Sequence, residues 1–109
     1  MFRLNGFKEL DPLAVKTIAA SGAHLIDVRT ADEVAQGVID GAIHIPLHLL
    51  PLRAADIPQD KPVVIYCRSG ARSAQACSFM ASKGYSNMHN LSGGIMAWAR
   101  SGNAISRMR

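Results

Sequence analysis

Cys67, Arg68, Ser69, Gly70, Ala71, Arg72 and Ser73 form one unbroken run in which a thiol is followed by two guanidinium side chains, a glycine and small hydroxyl residues. A thiol is a nucleophile only as its thiolate, and the thiolate is favoured beside cations and near helix N-termini. Arg68 and Arg72 supply the charge. The small residues between them let backbone N–H groups turn inward and ring an anionic atom. Such a cradle suits a thiolate that carries an extra sulfur, or an anionic substrate. The plainer reading is a buried cysteine that ends a core strand. It leaves two arginines and a glycine within the next five residues without a purpose.

The elements around this run must place the thiol at a turn. Val63-Val64-Ile65-Tyr66 is β-branched and aromatic and predicts a strand. Ser73 to Lys83 predicts a helix whose inner face is Ser73, Ala76, Cys77 and Met80, at i, i+3, i+4, i+7 spacing, ended by Gly84. Upstream, Phe7 to Leu10 predicts a short edge strand. Asp11 caps and Pro12 opens a helix over Leu13 to Ala20, with Val15, Ile18 and Ala19 on one face. His24 to Val28 predicts a buried strand. Thr30 with Glu33 has the spacing of a capping box, for a helix that ends at Gly37.

Ile39 to Pro46 reads as a turn and a short strand stopped by proline. Leu47 to Ala55, interrupted by Pro51, allows only a short helix or broken turns. Downstream, Met88 to Leu91 predicts a strand, and Ser92-Gly93-Gly94 leads into a last helix with Ile95, Met96 and Trp98 that ends near Ser101-Gly102. Asn103 to Arg109 is expected to fray. Strands alternating with helices throughout predict an α/β fold in three layers, with a mostly parallel central sheet of about five strands flanked by helices. Ligands in such sheets bind at the carboxyl ends of strands. Cys67 lies at one.

At 109 residues, 49% hydrophobic and 18% charged, the chain predicts one globular domain, with its core over about residues 7 to 102. The net charge of +4 is scattered apart from Arg100, Arg107 and Arg109, so no basic stripe argues for nucleic acid. Two cysteines build neither a disulfide framework nor a zinc site, which fits a reducing compartment. Met1 to Gly6 holds no apolar h-region, and no stretch reaches membrane-spanning length. A cytoplasmic setting without membrane contact is the expectation.

With these motifs laid out, the chain resembles a single-domain rhodanese from about Phe7 to Gly102. The likeness rests on Asp27-Val28-Arg29 with Glu33, Gly37, Gly41-Ala42 and Ile45-Pro46; on the Cys67 to Ser73 loop; and on Gly84-Tyr85, Asn90 to Ile95 and Trp98. The resemblance implies a sulfurtransferase in which Cys67 takes the outer sulfur of thiosulfate or a related donor as a persulfide. It then passes that sulfur to cyanide or a thiol, and the acceptor in the cell is left open among thioredoxin, glutathione and a partner protein. It also implies that Arg68 and Arg72 contact the departing sulfite, that the N–H groups from Arg68 to Ser73 ring the terminal sulfur, and that no metal or organic cofactor takes part. One departure is Val38, where the family commonly has histidine, at a position that looks like a turn contact.

Two rival functions remain open. Phosphatases and arsenate reductases share the strand, cysteine loop and helix, but their arginine lies six positions after the cysteine, which here is Ser73. A shorter loop makes a tighter cradle, suited to one sulfur atom. The other rival is a non-catalytic binding module, and such modules typically lack the cysteine. Cys77 is read as a buried structural thiol rather than a redox partner. Asp27 and Arg29 could serve as catalytic acid and cation, or as a hydrogen-bonded pair that supports the Cys67 loop; the supporting role is preferred. His44 and His48 are separated by Pro46, which argues against a helical metal pair.

Overall fold

The computed structural model describes residues 6–107. Five parallel strands form one sheet: β1 (Lys8–Leu10), β2 (His24–Asp27), β3 (Ile43–His44), β4 (Val63–Tyr66) and β5 (Met88–Leu91), in the order β1-β5-β4-β2-β3. The helices are α1 (Pro12–Ala20), α2 (Ala31–Ala35), α3 (Leu50–Arg53), α4 (Ala71–Ser82) and α5 (Gly94–Arg100). Single 3-10 turns at Leu47–Leu49 and Ala54–Asp56 flank α3. Asp11 caps α1 by accepting a hydrogen bond from the Ala14 N–H, and the Thr30/Glu33 capping box opens α2. Caps of this kind contribute about 1 kcal/mol each.

The sheet divides the core in two, and β4 supplies both halves because its side chains alternate. Val63 and Ile65 face one way, with Ile26, Leu50, Ala76, Cys77, Met80 and Met88, beneath α3 and α4. Val64 and Tyr66 face the other way, with Val15, Leu25, Leu91, Ile95 and Trp98, beneath α1 and α5. All four β4 side chains are buried, as befits a central strand covered on both faces. Among the described residues, no helix is long and apolar enough to cross a membrane.

Two segments depart from the sequence-based expectation. α4 begins at Ala71 rather than Ser73, because Gly70 takes a left-handed φ of 104° at the N-cap and lets the helix start at once. The segment after α5 does not fray within the described residues. Val38 and Ser106 exchange two backbone hydrogen bonds of 2.7 Å, the Trp98 indole N–H donates to the Ala104 carbonyl, and the Asn103 amide donates to the Trp98 carbonyl. Val38 is thus the buried anchor of this return strap rather than a turn contact alone. Met108 and Arg109 lie outside the described residues.

Candidate active site

The chain leaves β2 toward β3 on one side and leaves β4 toward β5 on the other, so the connections after β2 and β4 diverge. A crevice at such a reversal is where parallel sheets hold ligands. Cys67 follows β4 directly, and Arg29 and α2 follow β2. The two parts of the sequence with chemical potential therefore meet at one end of the sheet.

Cys67 is only 1% exposed, yet its Sγ is not surrounded by hydrocarbon. The Gly70 N–H donates to it at 3.1 Å, and the Ser73 N–H and hydroxyl lie at 3.4 Å. Burial by itself pushes this thiol up, but the hydrogen bonds from Ser73, Gly70 and Ser69 outweigh it and leave its pKa below that of an ordinary cysteine. These donors reach Sγ itself, and the N–H groups of Ala71 and Arg72 stand in the first turn of α4.

The loop holds this shape because its carbonyls are engaged on the opposite side. The Ile95 N–H donates to the Cys67 carbonyl at 2.9 Å, and the Met96 N–H donates to the Arg68 carbonyl at 3.2 Å. Gly94 makes that approach possible: a side chain there would collide with the Arg68 and Cys67 carbonyls. With its C=O groups turned toward α5, the loop turns its N–H groups toward sulfur. A second support comes from β5. The buried Asn90 amide donates to the Gly70 carbonyl at 3.1 Å and to the Glu9 carboxylate at 3.0 Å, and its oxygen accepts from the Ser73 hydroxyl. The Ser73 hydroxyl has one hydrogen to give, so Asn90 and the thiolate compete for it.

On the β2 side, Asp27 and Arg29 form a buried ion pair, with Nη2 to Oδ2 at 2.7 Å. The same guanidinium donates to the Gly37 carbonyl at 2.7 Å and lies 5.7 Å from the Tyr66 ring centroid. The pair thus fixes the turn after α2 against the strand that carries Cys67. Arg72 is engaged across the crevice: both of its terminal nitrogens bind the Glu33 carboxylate at 2.7 Å. The hydrogen bonds from Arg72 hold Glu33 down at about 2, against burial and with help from Thr30. Arg68 is exposed, and among the described residues no acidic side chain pairs with it.

A family model, the rhodanese-like domain, matches residues 12–101. The chain belongs to the rhodanese-like domain family. A sulfurtransferase of Allochromatium vinosum is 56% identical over 78 residues, covering 72% of this chain and 73% of the relative. The thiosulfate sulfurtransferase GlpE of Stutzerimonas stutzeri is 31% identical over 97 residues and covers 87% of each. Among solved structures, a rhodanese-related protein of Thermoplasma volcanium superposes with a TM-score of 0.83 at 26% identity, over 90% of this chain and 96% of that one. The human single-domain sulfurtransferase TSTD1 superposes with a TM-score of 0.75 at 28% identity, over 84% and 95%.

In this rhodanese-like chain the second cysteine is set apart from the loop. Cys77 is fully buried on the inner face of α4, and burial first, with Glu9 and Cys67 adding to it, pushes its thiol well above the ordinary value. The His44 Nε2–H donates to the Arg29 carbonyl, whereas His48 lies exposed in a 3-10 turn, so the two do not form a pair. Among the described residues, no three His, Cys, Asp or Glu side chains converge as a metal site would. Sequence reasoning read Glu33 as a cap and as part of the family motif and missed it as the partner of Arg72, because the two lie far apart along the chain. It also missed the bracing of the loop by Asn90, although a polar side chain within a buried strand was a signal to look for its partners.

Proposed function

We propose that the protein is a sulfurtransferase that works by double displacement through a persulfide on Cys67. In the first half, the Cys67 thiolate attacks the outer sulfur of thiosulfate. The S–S bond of the donor breaks, its electron pair leaves with sulfite, and a new S–S bond forms on Cys67. In the second half, cyanide or a thiolate attacks that outer sulfur. The Cys67–sulfur bond breaks, giving thiocyanate or an organic persulfide and returning the Cys67 thiolate.

The observation that carries this reading is the convergence of the Gly70 N–H, the Ser73 N–H and the Ser73 hydroxyl on Cys67 Sγ. These donors favour an anionic sulfur before the first step and again when Cys67 becomes the leaving group. Arg68, exposed and unopposed, is suited to receive the sulfonate end of the donor. Arg72 is assigned a different task, because the pairing with Glu33 ties α4 to α2 across the crevice. Asp27 and Arg29 support the loop from below. The chemistry asks for no metal or organic cofactor, and two free thiols suit a reducing compartment such as the cytoplasm.

Intact-protein mass spectrometry after treatment with thiosulfate tests the proposal. A gain of about 32 Da that cyanide removes and that Cys67→Ser lacks is the expected result. No adduct, or an adduct that survives in Cys67→Ser, overturns the assignment of the nucleophile. Phosphate and arsenate would then be the next ligands to try.

A further inference from the structure

Glu9 stands on the edge strand β1, opposite Asn90 in the register of β1 with β5. Its carboxylate accepts from the Asn90 amide, with both oxygens 3.0 Å from Nδ2, and from the Ser92 hydroxyl at 2.7 Å. Glu9 is exposed, whereas Asn90 is buried. Asn90 has two N–H groups and one oxygen to place, and each has a partner. Nδ2 donates to Glu9 and, at 3.1 Å, to the Gly70 carbonyl, while Oδ1 accepts from the Ser73 hydroxyl at 2.5 Å. Turning the amide over would set Oδ1 against two acceptors, Glu9 and the Gly70 carbonyl. The oxygen is therefore kept toward Ser73, and a line of polar contacts runs from the sheet edge to Cys67: Glu9, Asn90, Ser73 and then Sγ, the last step 3.4 Å long.

The Ser73 hydroxyl has one hydrogen and two acceptors within reach, and the better acceptor changes during the reaction. A thiolate is ionised and draws a stronger hydrogen bond than a neutral oxygen. Once Sγ carries a second sulfur it is bonded on both sides, as in a thioether, and accepts only weakly. A buried hydroxyl left without an acceptor would then destabilise the persulfide form. Asn90 Oδ1 offers it one.

We propose that Glu9 is a positioning residue for sulfur transfer: by holding Asn90 with its oxygen toward Ser73, it provides the acceptor to which the Ser73 hydroxyl turns when Cys67 is loaded, and which the hydroxyl leaves when the thiolate is regenerated. The inference rests on the sulfur-transfer reading and adds to it a residue that touches neither the sulfur nor the substrate. Its consequence is that Glu9 favours the persulfide over the free thiolate.

The loading equilibrium tests this, with thiolate and thiosulfate on one side and persulfide and sulfite on the other. Intact-protein mass spectrometry reads it across a series of thiosulfate-to-sulfite ratios, on the alkaline side of the Cys67 pKa so that the unloaded protein is the thiolate. Glu9→Ala leaves one N–H of Asn90 without its carboxylate, and the loading constant is expected to fall about threefold. Glu9→Gln can keep an oxygen toward Asn90 and turn its amide toward Ser92, so its constant is expected to stay close to that of the wild type. Both changes lie outside the two halves of the core. In Ser73→Ala there is no hydroxyl to turn, so adding Glu9→Ala is expected to leave the constant unchanged. The same fall with and without the Ser73 hydroxyl, equal falls in Glu9→Ala and Glu9→Gln, or no fall in Glu9→Ala overturns the positioning role and leaves sulfur transfer standing. Failure of the wild-type protein to load overturns the sulfur-transfer reading and this inference with it.

Discussion

Cys67 and Cys77 lie ten residues apart and are equally hidden, 1% and 0% exposed, yet their thiols are pushed in opposite directions. Burial cannot explain the difference, since it raises both. What differs is the backbone around each sulfur. Cys77 sits inside α4, where each nearby N–H is committed to a carbonyl of the preceding turn. Cys67 sits where β4 has ended and α4 has only begun, so the N–H groups of Ser69, Gly70 and Ser73 are free to point at sulfur. A reactive thiol in this fold is made by uncommitted backbone donors, and the same side chain one helix face away is packing material.

The largest break in that contrast comes from removing each sulfur. Cys67→Ser is expected to lower sulfur transfer by about a thousandfold or more while leaving the unfolding midpoint close to that of the wild type. Cys77→Ala is expected to do the reverse, with activity retained and about 1 kcal/mol of stability lost through the small cavity it leaves. Steady-state turnover and urea unfolding of both variants check this. An active Cys67→Ser protein, or an inactive and fully stable Cys77→Ala protein, would undo the division of labour.

The next break leaves both sulfurs in place and spoils the donors. Gly94 has a left-handed φ of 62°, and an added methyl would collide with the Arg68 carbonyl. Gly94→Ala therefore has to push the loop away from α5 and rotate its N–H groups off Cys67. The expected loss in kcat/KM is about a hundredfold, comparable to removing a donor from an oxyanion hole. Iodoacetamide labelling should slow at Cys67 and stay negligible at Cys77. Wild-type labelling would mean that the carbonyl contacts to α5 do not orient the loop.

How far this was readable without coordinates follows the range of each interaction. The capping box at Thr30, the inner face of α4 and all five strands could be read because they depend on residues within one or two turns of each other. The cysteine loop was visible as composition, although the start of α4 was misplaced because a glycine at its N-cap can hold a left-handed φ that the sequence does not announce. The Arg72–Glu33 pair was hidden because 39 residues separate its members. The grip of Asn90 on Gly70 and the closure of the strap onto Val38 were hidden for the same reason. Local spacing carries no signal for contacts that only the sheet order brings together.

A milder change tests the side-chain share of the donor ring. The hydroxyl of Ser73 is divided between Cys67 and Asn90, so Ser73→Ala should raise the pKa of Cys67 rather than remove its reactivity. The thiolate fraction grows with pH through that pKa. Labelling of the variant should therefore be slower near neutrality and converge with the wild type in alkali, above both values. Superimposed pH profiles would assign the lowering to backbone N–H groups alone.

The smallest effect is expected at Glu33, which stands outside the sulfur cradle and holds Arg72 across the crevice. Its carboxyl is held at about 2 against an ordinary 4.5, so between those values the folded protein binds fewer protons than the unfolded chain. The stabilisation is complete above about pH 4.5, declines as the pH falls, and is gone below about 2. Because Arg72 is 35% exposed and Glu33 26%, solvent screening reduces the contribution to about 1 kcal/mol. Glu33→Gln should therefore lower the unfolding free energy by that amount at pH 7 and by less at pH 3, where the wild type has already lost part of the pairing. Freed of its partner, Arg72 adds a cation near Cys67, so the variant should bind thiosulfate slightly better if proximity of charge alone governs the donor. An unchanged KM would leave Arg68 as the residue that receives the sulfonate and keep Arg72 as a tie between α2 and α4.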